Sequence, residues 1–173
     1  SDTEILLMYY KIYGEKCVNF FDGMWSFIIF NKKNEKLFAS RDMFGEKPLY
    51  YYQDYDGLYF GSETKFIKKL SQKNFEINSK KINKYLSLGY RSLFKDNESI
   101  YKDIISLSPS ENLIIDNKLN LKKKKYWKPK VKQIKNFKIK TYIEETKSKL
   151  INSLRLRMRS DVPVAFLLSG GID

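Results

Sequence analysis

Residues 23–52 read GMWSFIIFNKKNEKLFASRDMFGEKPLYYY, and the parsing of that stretch decides the fold. "GMWSFIIF" and "KLFASR" are two aromatic and β-branched runs separated by the polar "NKKNEK", the pattern of a hairpin with a longer loop. "LYYYQDYDGLYFGSE" (49–63) repeats the arrangement, with Asp56-Gly57 supplying the turn. The spacing predicts four antiparallel strands in two hairpins.

Working outward, residues 1–14 place Ile5, Tyr9 and Ile12 at helical spacing. Ser1 and Glu4 stand three apart as in a capping box, and Gly14 is a stop. A short amphipathic segment covers Phe66 to Leu70. Ser79 is expected to cap a helix carrying Ile82, Tyr85 and Leu86 on one face and ending at Gly89. "ENLIID" (111–116) reads as a further strand. The lysine-rich stretch from Lys122 to Phe137, with Pro129, has little apolar periodicity and is the candidate linker region. Beyond it Thr141 and Glu144 form a second capping box. Ile143, Leu150, Ile151, Leu154 and Met158 then share one helical face. That helix leads to an apolar run of strand type, Val164 to Leu168, and to Ser169-Gly170-Gly171-Ile172-Asp173. Helix, strand and glycine turn in succession begin an α/β unit, unlike the hairpins before them.

Composition narrows the chemistry. The chain has 173 residues, 42% apolar and 16% aromatic, enough for a packed core. No apolar run reaches the roughly 18 residues that span a bilayer, and no signal-peptide pattern opens the chain. One cysteine, Cys17, allows no internal disulfide, so a cytoplasmic location is expected. Zero histidines remove Ser-His-Asp and Cys-His nucleophile pairs and every imidazole metal site. The formal charge of +13 raises a nucleic-acid role, but the lysines are scattered, so a solvated basic surface is expected and no nucleic-acid or membrane partner. A chain that opens on Ser1 and stops inside a loop motif reads as a fragment.

Two stretches carry chemistry. Ser-Gly-Gly after a strand is either a plain turn or a phosphate cradle: two glycines let the backbone approach an oxyanion, Ser169 adds a hydroxyl donor, and Asp173 is a ligand type for Mg²⁺. The Arg41-Asp42 pair before Gly45 and Pro48 reads as a loop closed by an ion pair. Taken together, "SRDMFGEKPLYYY…GLYFGSETKFI", "YLSLGY", "SIYKDIISLSPSENLIID", "KKYW" and "SDVPVAFLLSGGID" resemble, in order, the glutaminase domain, joining region and synthetase entry of glutamine-hydrolysing asparagine synthetases. The terminal loop is similar to the Ser-Gly-Gly-x-Asp-Ser pyrophosphate loop of enzymes that adenylate an acid.

The resemblance implies an α+β fold, part of an N-terminal-nucleophile hydrolase-type αββα sandwich, followed by the start of an α/β nucleotide-binding domain. It places the glutaminase part at 1–128, a linker at 129–140 and the ATP-binding synthetase start at 141–173. It implies a ligase using L-glutamine, L-aspartate, ATP and Mg²⁺, leaves a homodimer open, and puts the N-terminal cysteine nucleophile outside these residues, so that the chain alone is expected to be inactive. Asp2 would hold the α-ammonium of glutamine. Leu167, Leu168, Ser169, Gly170, Gly171 and Asp173 would bind ATP, with Asp173 also at the metal. Cys17 is expected to be a half-buried core residue. The family's Pro-Pro-Gly-His in the joining region is replaced by Ser108-Pro109-Ser110-Glu111, so that loop is expected to differ. Two other readings stand beside this one: a related amidotransferase acting on another carboxylate in natural-product or surface-sugar pathways, and a non-catalytic basic binding module.

Overall fold

The computed structural model describes residues 1–90, 96–131, 138–167 and 170. The chain divides into two compact units, 1–129 and 130–173.

Unit 1 opens with α1 (Asp2–Tyr13), which realises the expected capping box between Ser1 and Glu4 and ends where Gly14 takes φ 57°. The chain tightens at once into a 3-10 helix, Gly14–Phe20. The first predicted hairpin is β1 (Ser26–Asn31) with β2 (Lys36–Arg41), and the second is β3 (Tyr50–Gln53) with β4 (Leu58–Gly61); both are antiparallel. The second turn spans Asp54 to Gly57, with Asp54 Oδ1 accepting from the N–H groups of Asp56 and Gly57. Two helices follow, α2 (Thr64–Ser71) and α3 (Ser79–Leu88), then β5 (Ile105–Ser106), β6 (Glu111–Ile115) and β7 (Leu121–Lys125).

The strands form two antiparallel sheets, β1-β2-β6-β7 and β4-β3-β5. The period-two alternation of β2 explains their stacking. Leu37 and Ala39 face the second sheet, where Leu49, Tyr51 and Leu107 join Leu113 and Ile115 in one buried cluster. Phe38, pointing the other way, lies with Cys17, Val18 and Ile29 under Leu6, Tyr9 and Tyr10 of α1. On the far side α2 packs on β3 and β4, burying Ile67 completely. Gly61 permits that approach, since a Cβ there would lie 3.1 Å from Phe66 Cβ. Unit 1 is therefore layered helix, sheet, sheet, helix.

Several expectations are corrected. The inward face of α1 is Leu6, Tyr9 and Tyr10, whereas Ile5 and Ile12 are exposed, because the stripe that meets the sheet is centred about a quarter turn away from them. The cap of α3 is Asn78, whose side chain accepts from Lys81 N–H, and the helix buries Lys81 rather than its apolar stripe. Lys122 to Lys125, read from sequence as linker, form the edge strand β7. Asp116 closes a tight turn to Asn120, and pairing with β6 overrides the poor strand propensity of lysine. β5 had no sequence signal of its own.

In unit 2, α4 (Ile139–Arg157) starts two residues before Thr141, with Lys138 at the cap position, so the expected Thr141–Glu144 box does not form. Its predicted apolar face is present but exposed, with Ile143 and Leu150 each more than half accessible. Residues 164–167 are not a strand, since no partner strand exists among the described residues of this unit. Among the described residues no helix is long and apolar enough to cross a membrane.

Helix α3 is held by charge. Lys81 Nζ and Lys84 Nζ both bond the Asp96 carboxylate, the latter at 2.9 Å. Burial alone would raise that carboxyl; the two ammoniums bonded to it outweigh burial and hold it at about 2, below the ordinary 3.8. A depressed carboxyl stabilises the fold above its unfolded pKa and stops doing so as pH falls toward its folded one. The unfolding free energy from urea titrations should therefore drop between pH 4 and pH 2, by on the order of 1 kcal/mol from this group after solvent screening. Asp96→Asn should remove that component of the pH dependence.

Candidate functional site

The loop after β2 is organised by one carboxylate. Asp42 is fully buried, and its Oδ1 accepts from Phe44 N–H (3.1 Å) and Glu46 N–H (2.9 Å), while Oδ2 accepts from Lys47 N–H (2.9 Å) and Trp25 N–H (3.3 Å). The backbone repeats the link: Asp42 N–H donates to Trp25 O, and Asp42 O accepts from Ser110 N–H. Arg41 does the converse for carbonyls. Its Nε donates to Lys47 O, Nη2 to Gly45 O, and Nη1 to Leu107 O and the Ser106 hydroxyl, at 2.6–3.0 Å. Burial lowers the Arg41 pKa, against the attraction of Asp42 and Tyr50. The expected Arg41–Asp42 ion pair is thus corrected: each side chain serves backbone groups of the opposite polarity. A buried N–H or C=O left without a partner costs about 1–3 kcal/mol, so this division of labour dominates over a pairing of adjacent charges.

Gly45 is required twice over, by its φ of 69° and because a Cβ would sit 2.9 Å from Pro109 Cγ. The joining loop meets it there. Ser110 stands where the resembling family carries glycine and adopts φ 56°, a left-handed backbone that a non-glycine residue enters at a cost of about 1–2 kcal/mol. Ser110 thus holds a backbone conformation that favours glycine.

The Asp42 network positions a cleft. Trp25 and Lys47, both bonded to Asp42 Oδ2, line an open cavity of about 640 Å³ together with Asp2, Leu6, Phe21 and Phe27. Trp25 is fixed further by Nε1–H donating to Ser40 Oγ (3.2 Å) and by stacking on Tyr126, whose hydroxyl donates to Arg41 O (2.8 Å). Asp2 sits in the first turn of α1, exposed at the cleft mouth, and among the described residues its carboxylate makes no ion pair. A carboxylate there is held by the positive end of the helix and remains available to a cation.

Cys17 is fully buried rather than half-buried, inside the cluster beneath α1, and burial pushes its thiol up to about 11. A thiol with no base beside it and no access is no nucleophile. Of the terminal loop, Leu168, Ser169, Gly171 and Asp173 lie outside the described residues. Leu167 is exposed, and Gly170 takes φ 75°.

A family model described as "Glutamine amidotransferase domain" matches residues 1–127, the whole of the two-sheet unit. The chain belongs to the glutamine amidotransferase domain family. A second model, "Asparagine synthase", matches residues 145–173. Similar proteins include a putative glutamine-hydrolysing asparagine synthetase 2 of Methanocaldococcus jannaschii, 42% identical over 178 residues, all of this chain and 33% of the relative's length. Glutamine-hydrolysing asparagine synthetase 1 of Bacillus subtilis is 34% identical, again over all of this chain and 27% of its own length. Amidase chry2 of Gibberella zeae is 29% identical over all of this chain and 25% of its own length. The chain thus spans about a third or less of these relatives.

Within this amidotransferase domain the residue that sequence reading undervalued is Asp42. Its signal was legible: an aspartate at a strand end followed by x-x-Gly is a side-chain-to-backbone turn former. Asp42→Asn presents an NH₂ group to N–H donors, and should cost about 2–4 kcal/mol in chemical denaturation. Ser110→Gly should raise stability by up to about 1 kcal/mol in the same measurement.

Proposed function

We propose that this chain is the glutamine-site portion of a glutamine-hydrolysing asparagine synthetase, joined to the first elements of the domain that adenylates aspartate. The observation that carries the reading is the Asp2 cleft. A free carboxylate at a helix N-terminus faces a cavity whose aromatic wall, Trp25, is locked by the buried Asp42. In this reading Asp2 holds the α-ammonium of glutamine, Trp25 and Phe27 shield the cleft from water, and the Arg41–Asp42 network keeps the cleft wall from moving as substrate binds. Unit 1 would then be part of an N-terminal-nucleophile hydrolase sandwich. Its helix, sheet, sheet, helix layering supports that assignment.

For the second reaction, Ser169, Gly170 and Gly171 would hold the phosphates of ATP, flanked by Leu167 and Leu168, and Asp173 would hold Mg²⁺. The described residues fit this at Gly170, whose positive φ suits a backbone nest for an anion and resists an L side chain. Bound ATP would supply the activating adenylyl group for a carboxylate. The similarity to proteins named asparagine synthetases, from Methanocaldococcus jannaschii and Bacillus subtilis, favours L-aspartate as the acceptor. The similarity to two fungal amidases, at 29% and 26% identity, favours a second reading in which the acceptor is another carboxylate.

The experiment is kinetic. In the complete protein Asp2→Asn should raise the glutamine KM at least tenfold while leaving synthesis from added ammonia intact, since a hydrogen bond between charged groups is worth about 1.5–3 kcal/mol. Equal loss of both activities would make Asp2 structural. Gly170→Val should abolish ATP cleavage to AMP and pyrophosphate and spare glutamine hydrolysis; the reverse pattern would refute the loop assignment. Cys17→Ala should leave glutamine turnover nearly unchanged.

A further inference from the structure

A second cavity of about 1230 Å³ lies on the outer face of the four-stranded sheet, on the flank of α1 away from Asp2. Seven lysines line it against one acid, Glu15. Among the described residues none of the seven forms an ion pair, although elsewhere in unit 1 Lys65, Lys73, Lys81, Lys84 and Lys102 each bond a carboxylate. In its floor lies Asn112, 2% exposed, whose Oδ1 has no hydrogen-bond partner. Strand register sets Asn112 directly opposite Lys124 of β7. Tyr10 and Tyr126 stand in the wall, and each is held by a stacked partner, Phe38 at 5.5 Å and Trp25 at 6.2 Å.

Unpaired cations, a buried polar atom without a partner and two rigid aromatic rings call for different parts of one ligand. Concentrating like charge is unfavourable without a counter-anion, and an unsatisfied buried acceptor costs free energy until a donor reaches it. Phosphate oxygens meet the lysines, an N–H or O–H donor meets Asn112, and a planar ring meets the tyrosines. We propose that this groove is a binding site for a phosphorylated nucleoside, separate from the glutamine cleft and from the terminal loop. A concave arrangement of lysines around one buried amide suits a small ligand better than a polynucleotide, which tracks an extended basic face with exposed aromatics. The site rests on unit 1 alone and stands whether or not Asp2 binds glutamine.

Calorimetric titration of the complete protein carrying Gly170→Val, so that the terminal loop does not contribute, with ATP, inorganic triphosphate and adenosine, at about 150 mM salt to screen diffuse attraction, tests it. Lys16→Glu with Lys124→Glu should weaken ATP and triphosphate at least tenfold. Asn112→Leu should weaken ATP at least fivefold, leave triphosphate unchanged, and leave the unliganded protein as stable as before or more so, because the orphaned atom is gone. The proposal fails if ATP does not bind at millimolar concentration, if the charge reversals have no effect, or if Asn112→Leu has no effect on ATP. It also fails if single-stranded RNA binds more tightly than ATP and independently of Asn112.

Discussion

A buried carboxylate surrounded by four backbone N–H groups is the constraint on which unit 1 depends. Asp42 ties the start of β1, through Trp25, to the loop that carries the chain from the first sheet to the second, through Phe44, Glu46 and Lys47. It draws in the joining loop as well, because its carbonyl takes the Ser110 N–H. Three segments meet on one residue, two on its carboxylate and the joining loop on its carbonyl. Arg41, its neighbour, performs the same service for carbonyls from Gly45 to Leu107. Adjacent strand residues point to opposite faces, so one pair of consecutive positions satisfies donors on one side of the sheet end and acceptors on the other.

The apolar layers gain their geometry from that junction. With the crossover loop fixed, Leu37 and Ala39 are committed to the inter-sheet cluster and Phe38 to the layer beneath α1. A one-residue slip would reverse both assignments, which is why the register of β2 against β1 and β6 is strongly determined. The same junction sets function: Trp25 belongs at once to the Asp42 network, the Tyr126 stack and the cleft bearing Asp2. Stability and the candidate site thus share residues, and changes to Asp42 act on both.

Charge is distributed unevenly over this basic domain. Around α3 and the second hairpin, lysines close on carboxylates and fix loops, as Lys73 does between Asp54 and Asp56. Along β7 and the outer groove they form no ion pair among the described residues, and Lys123 lies instead over the Tyr51 ring. On an edge strand, solvated lysines deter pairing with another chain, so β7 serves the sheet even though lysine is a weak strand former.

From the sequence alone, the two hairpins, the first helix with its capping box, strand β6 and the family resemblance followed, because each rests on local chemistry: alternation with a turn between, a reciprocal cap, a motif in order. Only the tertiary structure decided which face of α1 is buried, that Lys122–Lys125 form a strand, that Asn78 rather than Ser79 caps α3, and that Asp42 serves amides instead of Arg41. The buried face of α1 and the strand β7 depend on partners far away in the chain, whereas the Asn78 cap and most of the Asp42 bonds are local chemistry that the sequence reading passed over. Burial and strand pairing are pairwise properties of distant segments, and a lysine run carries no local record of the strand it will pair with once the sheets stack.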